Sequence, residues 1–153
     1  MTINITLDTS VLIKGFVNPR RRIKDEHYEE YLKLHLKSRD VLSNVENGNY
    51  INHIPVMALI ETACVVSRLT NDPESVTLAL DFLNQHSRLY SDVDLLELSI
   101  EIGRRTKASG FDVIFMACAD ASNSILMTDD RKMYERAIEY GLDARFLRED
   151  FKP

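Results

Sequence analysis

An α/β/α sandwich around a central parallel sheet of about five strands is the fold that this 153-residue sequence predicts. Short apolar runs with strand character alternate along the whole chain with longer segments of helical periodicity. The connections between the strand candidates are too long for hairpins, so the strands are expected to pair in parallel with helices on both faces. No repeat, low-complexity segment or linker interrupts this alternation, and one domain over residues 1–153 is expected.

The elements follow in order. Ile3 to Leu7 alternates apolar and polar side chains and predicts the first strand. Asp8-Thr9-Ser10 starts a short helix that ends by Asn18-Pro19. A charge-rich helix between Asp25 and Asn47 carries a stripe of Tyr28, Tyr31, Leu32, Leu36, Leu42 and Val45 and stops at Asn47-Gly48-Asn49. Tyr50 to Ile54 predicts the second strand, and Pro55 suits the first turn of an apolar helix reaching about Leu69. Asp72-Pro73-Glu74 joins an N-cap to a proline at the first helical position and opens a helix to about His86. Leu89-Tyr90 suggests a third strand, and Ser91-Asp92-Val93-Asp94 resembles a capping box for a helix to about Lys107. Ser109-Gly110 breaks that helix, and another runs from about Asp112 to Ala121. A buried strand from Ser124 to Met127, a helix from Asp130 to Tyr140 closed by Gly141, and a last strand from Ala144 to Leu147 complete the chain.

Composition narrows the classes. Hydrophobic residues make up 44% and charged residues 28%, ordinary for a soluble globular protein. No apolar run approaches a membrane span, and the N-terminus lacks a signal-peptide pattern. Cys64 and Cys118 sit in apolar helical runs without metal-ligand spacing and read as reduced core residues, so a cytoplasmic protein is expected. A net charge of −5 argues against a general nucleic-acid coat protein but not against a nuclease, whose own acids count in that total. Basic residues cluster at Arg20-Arg21-Arg22 with Lys24, at Arg104-Arg105 with Lys107, and at Arg131-Lys132; each is either solvated surface or a phosphate contact.

Four carboxylates occupy unusual places. Asp8 ends the first strand, Asp112 opens an apolar helix, Asp130 follows the run Ile125-Leu126-Met127, and Glu61 lies in mid-helix. In such sheets the ligand crevice lies beyond the carboxyl ends of the strands, where Asp8 and Asp130 fall. Helix capping is a sufficient alternative for Asp8, Asp112 and Asp130. Glu61 has no such alternative: its helical neighbours Met57, Ala58, Cys64 and Val65 are all apolar, so a buried face and a partner from elsewhere in the fold are expected. Two carboxylates about 4 Å apart repel by roughly 4 kcal/mol at an effective dielectric near 20, so a cluster of four calls for a cation. An oxygen-only ligand set favours Mg²⁺ or Mn²⁺ over zinc and suits phosphoryl chemistry.

Leu7-Asp8-Thr9-Ser10, the helical Glu61, Gly110-Phe111-Asp112 opening an alanine-containing helix, and Leu126-Met127-Thr128-Asp129-Asp130 together resemble the PIN domain. More narrowly, they resemble the single-domain VapC-type toxin ribonucleases of toxin–antitoxin pairs. The resemblance runs from residue 3 to about 148 and rests on the order and spacing of the motifs rather than on any one of them. It implies a sheet of order 3-2-1-4-5 and a Mg²⁺- or Mn²⁺-dependent endoribonuclease with an RNA substrate, a cognate antitoxin and a homodimeric state. By the same resemblance Asp8, Glu61, Asp112 and Asp130 are the catalytic and metal-holding acids, with Ser10 and Thr128 supporting them and Asp129 the bystander of its pair. Val113 after the third acid, and Met133 where the family often has an aromatic, depart from the pattern at packing positions.

Rival readings are a housekeeping RNA-processing nuclease, an aspartyl-phosphate phosphatase, a phosphoaccepting receiver and a catalytically silent binding module. The phosphatase needs an acid where Ser10 stands. The receiver needs paired acids where Thr9 follows Asp8, and a lysine near a last strand that offers only Arg145 and Arg148.

Overall fold

The alternating run near the N-terminus becomes the middle strand of a five-stranded parallel sheet. In the computed structural model, which describes residues 1–20, 25–149 and 151–153, the strands are β1 (Ile3–Leu7), β2 (Tyr50–Pro55), β3 (Ser87–Tyr90), β4 (Ile125–Thr128) and β5 (Ala144–Phe146). Their order is β3-β2-β1-β4-β5, as the sequence reading expects. All four pairings are parallel, with Ile5 opposite Asn52 on one side of β1 and Ile125 on the other.

Seven helices among the described residues connect the strands: α1 (Thr9–Phe16), α2 (Glu26–Glu46), α3 (Met57–Thr70), α4 (Pro73–His86), α5 (Leu96–Thr106), α6 (Gly110–Ala121) and α7 (Arg131–Tyr140). Right-handed crossovers in this strand order put α1 to α4 on one face and α5 to α7 on the other. The packing agrees, with α1 against α2 and α3, and α5 against α6 and α7. Ile5, Leu7, Ile54, Leu126 and Met127 of the sheet are sealed between Leu12 and Leu42 on one side and Phe115 and Met116 on the other. None of the helices in the described residues is long and apolar enough to cross a membrane.

Several boundaries differ from the sequence reading, each for a local reason. Pro55 ends β2 opposite Tyr90 rather than starting a helix; it lacks an N–H, and the ladder continues through Val56 N–H to Tyr90 O at 2.8 Å. Ser91 holds a turn, accepting from Val93 N–H at 3.1 Å, and α5 begins only at Leu96. Ser109 caps α6, so Asp112 stands in its first turn instead of opening it. On α2 the buried stripe is Leu34, Ser38, Val41, Leu42 and Val45, while Leu36 faces solvent. Cys64 is exposed and only Cys118 is a core thiol. Residues 21–24, which hold most of the first basic cluster, lie outside the described residues.

Two details bring the site-bearing end into shape. Asn52, fully buried, accepts from Leu7 N–H at 3.2 Å and donates to Ser87 Oγ at 3.1 Å, so a side chain replaces a ladder partner where β1 nears its end. Gly15 lets α1 lie directly on α2, because a Cβ there would stand 2.4 Å from Leu42 Cδ1. Gly15→Ala is therefore expected to lose about 1–2 kcal/mol in chemical denaturation, overpacking outweighing the gain in helix propensity. A stabilised G15A protein would show that Leu42 turns aside freely.

Candidate active site

Asp8 follows the last residue of β1, and its N–H bonds Met127 O at 3.0 Å, which ties the carboxyl ends of β1 and β4 together. It occupies the N-cap position of α1, yet its side chain makes no cap bond, contrary to the capping alternative. Instead its Oδ2 accepts from Ser10 Oγ at 2.7 Å and from Thr128 Oγ1 at 2.8 Å. Each hydroxyl oxygen in turn accepts a backbone N–H, Ser10 Oγ from Asp129 and Thr128 Oγ1 from Asp130, both at 3.0 Å. A hydroxyl has one proton. With their oxygens occupied by amides, both hydroxyls point that proton at Asp8.

The side chain of Asp8 is buried, the residue being 7% exposed. Its carboxyl is raised to about 6: burial is the largest cause, the two hydroxyls pull the other way, and the charges of Glu61 and Asp112 add smaller upward pushes. Folding thus raises its proton affinity. Its contribution to stability is full below the unfolded carboxyl's range and is lost as pH rises through about 6.

Glu61 lies on α3 but not in the buried face expected of it. Only Ala58, Thr62 and Val66 of that helix are buried, whereas Ile60 and Cys64 are exposed and Glu61 is half-buried. Its distant partner is a hydroxyl: Thr9 Oγ1 donates to Glu61 Oε2 at 2.8 Å. Asp112 is half-buried in the first turn of α6; burial, then the charge of Asp130, raise its carboxyl, with Glu61 adding a smaller push. Asp130 is exposed and caps α7, accepting from Lys132 and Met133 N–H at 2.8 and 3.1 Å.

The fold therefore brings all four acids within electrostatic reach at one end of the sheet, Asp8 feeling Glu61 and Asp112, and Asp112 feeling Asp130 and Glu61. Among the described residues, no three His, Cys, Asp or Glu side chains close into a metal cage. The donors these four acids offer are all carboxylate oxygens, the chemistry that hard divalent cations take. The groups fit Mg²⁺ or Mn²⁺ by donor chemistry.

Sequence reasoning missed the neighbouring ion pairs. The side chain of Asp129 is 3% exposed and binds Lys14 Nζ at 2.6 Å, and Arg148 grips it from Nε at 2.9 Å and Nη2 at 3.2 Å. Arg148 Nη1 also reaches Glu30 Oε1 at 2.6 Å. No local pattern marks these partners, which are up to 118 residues apart. Of the basic clusters, Arg104 and Arg105 both pair with Glu101 on the surface, and Arg131 lies over the Phe146 ring at 4.8 Å.

Comparison with known proteins gives a PIN domain match over residues 5–139. The fold is similar to that of VapBC2 from Rickettsia felis, solved bound to a DNA fragment from its promoter, at 15% identity and a TM-score of 0.62, covering 94% of this chain and 98% of that one. FitAB bound to an IR36 DNA fragment is similar at 14% identity and a TM-score of 0.62, covering 95% and 96%. So is a domain of a functionally unknown protein from Methanocaldococcus jannaschii, at 18% and 0.54, covering 99% and 96%. At these identities the likeness is one of fold. No curated protein matches the chain.

The two hydroxyls can be tested without any substrate. Ser10→Ala and Thr128→Val should each move the carboxyl of Asp8 above about 6 in a ¹³C NMR titration. They should also deepen the loss of stability between about pH 4 and 7, which for Asp8 is at most about 3 kcal/mol. An unmoved titration in both variants contradicts the role given to these bonds.

Proposed function

This chain belongs to the PIN domain family, and on that premise we propose that it is a divalent-cation-dependent endoribonuclease, the toxin of a toxin–antitoxin pair. PIN domains are nucleases as a family, which supports hydrolysis of a phosphodiester in nucleic acid. The observation that carries the proposal is Asp8: a buried carboxylate, held by two hydroxyls and pressed by the charges of Glu61 and Asp112. Such a group wants a cation.

Asp8 and Asp112 would hold Mg²⁺ or Mn²⁺, with Glu61 and Asp130 as further ligands or orienting groups. The cation would supply Lewis acidity and charge neutralisation at the scissile phosphate. The protein's own contribution is preorganisation. Ser10 and Thr128 occupy Oδ2 of Asp8, and among the described residues Oδ1 accepts no hydrogen bond, which leaves it facing its task. Thr9 holds one oxygen of Glu61 in the same way. Above about pH 6 Asp8 is ionised without help, and below it a cation must displace a proton, so cleavage should weaken as pH falls through that value.

An RNA substrate, rather than the DNA on which the VapBC2 and FitAB assemblies were solved, follows from the toxin reading. The same likeness supports a protein antitoxin as partner. A homodimer and a cytoplasmic location complete the proposal.

RNA cleavage with and without Mg²⁺ or Mn²⁺ tests it. Wild type should cleave only with the ion, Asp8→Asn should lose at least about 100-fold, and the ion should raise the melting temperature of wild type but not of D8N. Equal cleavage by the two proteins, or cleavage unaffected by chelation, contradicts the reading.

A further inference from the structure

We propose that Lys14 and Asp129 are positioning residues: their ion pair, backed by Arg148, aligns the Ser10 hydroxyl on Asp8. The inference rests on the nuclease reading above, but its geometry is independent of any metal. Ser10 and Lys14 are one turn apart on α1, and residues at that spacing share a helix face. Both grip the same residue. Ser10 Oγ takes the backbone N–H of Asp129 at 3.0 Å, and Lys14 Nζ takes its carboxylate at 2.6 Å. One helix face thus holds Asp129 at two points.

The consequence runs through Ser10. Its proton is given to Asp8 Oδ2 while its oxygen accepts the Asp129 amide. Free to rotate, the hydroxyl would leave one of the two bonds that hold Asp8. Arg148 closes the far side of Asp129 with two bonds and is itself steadied by Glu30. Lys14 has a further anchor, its carbonyl lying 2.6 Å from His35 Nδ1 of α2.

Charge explains why the device suits this place. A fifth free carboxylate beside four acids would raise their mutual repulsion. Lys14 and Arg148 against Asp129 and Glu30 make a quartet with no net charge. Asp129 can therefore sit buried next to the acids and steer them without adding to their field.

Removing Lys14 alone strands a buried charge and invites misfolding. Three variants separate the roles: Lys14→Arg, Lys14→Met, and Lys14→Met with Asp129→Leu, which removes both charges together. With RNA and Mn²⁺, K14M and the double variant are expected to lose about 10- to 100-fold in kcat, the range for groups that orient metal ligands. KM for RNA should stay within about twofold, and K14R should recover most of the rate. In a Ser10→Ala background K14M should cost little more, because the two act in series. Hydrogen exchange gives a readout apart from activity: the Asp129 amide should lose protection in K14M and regain it in K14R. Wild-type rates in the folded double variant, multiplicative losses with S10A, or an unchanged Asp129 amide overturn the proposal. A KM effect alone would make Lys14 a phosphate contact and overturn it too. A wild type that cleaves no RNA overturns the nuclease reading first, and the positioning role with it.

Discussion

Asp8 is a carboxylate kept almost out of water at the point where the central strand turns into a helix, and much of the surrounding structure answers the cost of keeping it there. Two hydroxyls donate to one oxygen, and the backbone amides of Asp129 and Asp130, just past the end of β4, bond those hydroxyls. The remaining imbalance is visible in its proton affinity, raised by burial and by the charges of Glu61 and Asp112. Strongly perturbed carboxyls gathered at one end of a sheet are characteristic of functional sites.

The parallel topology makes that arrangement possible. A strand order that reverses direction at β1 puts the topological switch point at the ends of β1 and β4, where sheets of this kind bind ligands. Asp8 and the Thr128–Asp130 segment stand at that point, while α3 and α6 carry Glu61 and Asp112 in the two helical layers. Neutral ion pairs fill in behind, where Asp129 is held by Lys14 and Arg148. Acids with different surroundings therefore take different parts: Asp129 is neutralised and buried, while Asp130 caps a helix and stays exposed.

Much of the fold was legible because its signals are local. The strand runs, the Asp72-Pro73 start of α4 and the Gly141 stop of α7 each depend on a few adjacent residues, and each stands where the sequence puts it. Boundaries moved where two local signals competed, as when Ser109 took the cap from Asp112, or when Pro55 suited both a strand end and a helix start. Glu61 is the instructive case. Its apolar neighbours suggested a buried face, but α3 buries only a narrow stripe, and the residue turned out half-exposed with a hydroxyl partner from α1. The ion pairs around Asp129 were out of reach altogether. They join residues that only the finished fold makes neighbours, and lysines and arginines at such positions look like any other surface charge.

Whether these four acids share a divalent cation, as proposed, can be read by paramagnetic broadening with Mn²⁺, which needs neither substrate nor partner. Titrated into the isotopically labelled protein, Mn²⁺ should broaden first the amide and side-chain resonances around Asp8, Glu61, Asp112 and Asp130, with Mg²⁺ competing the effect away. Broadening centred on another acidic surface, or none that Mg²⁺ displaces, would contradict the account.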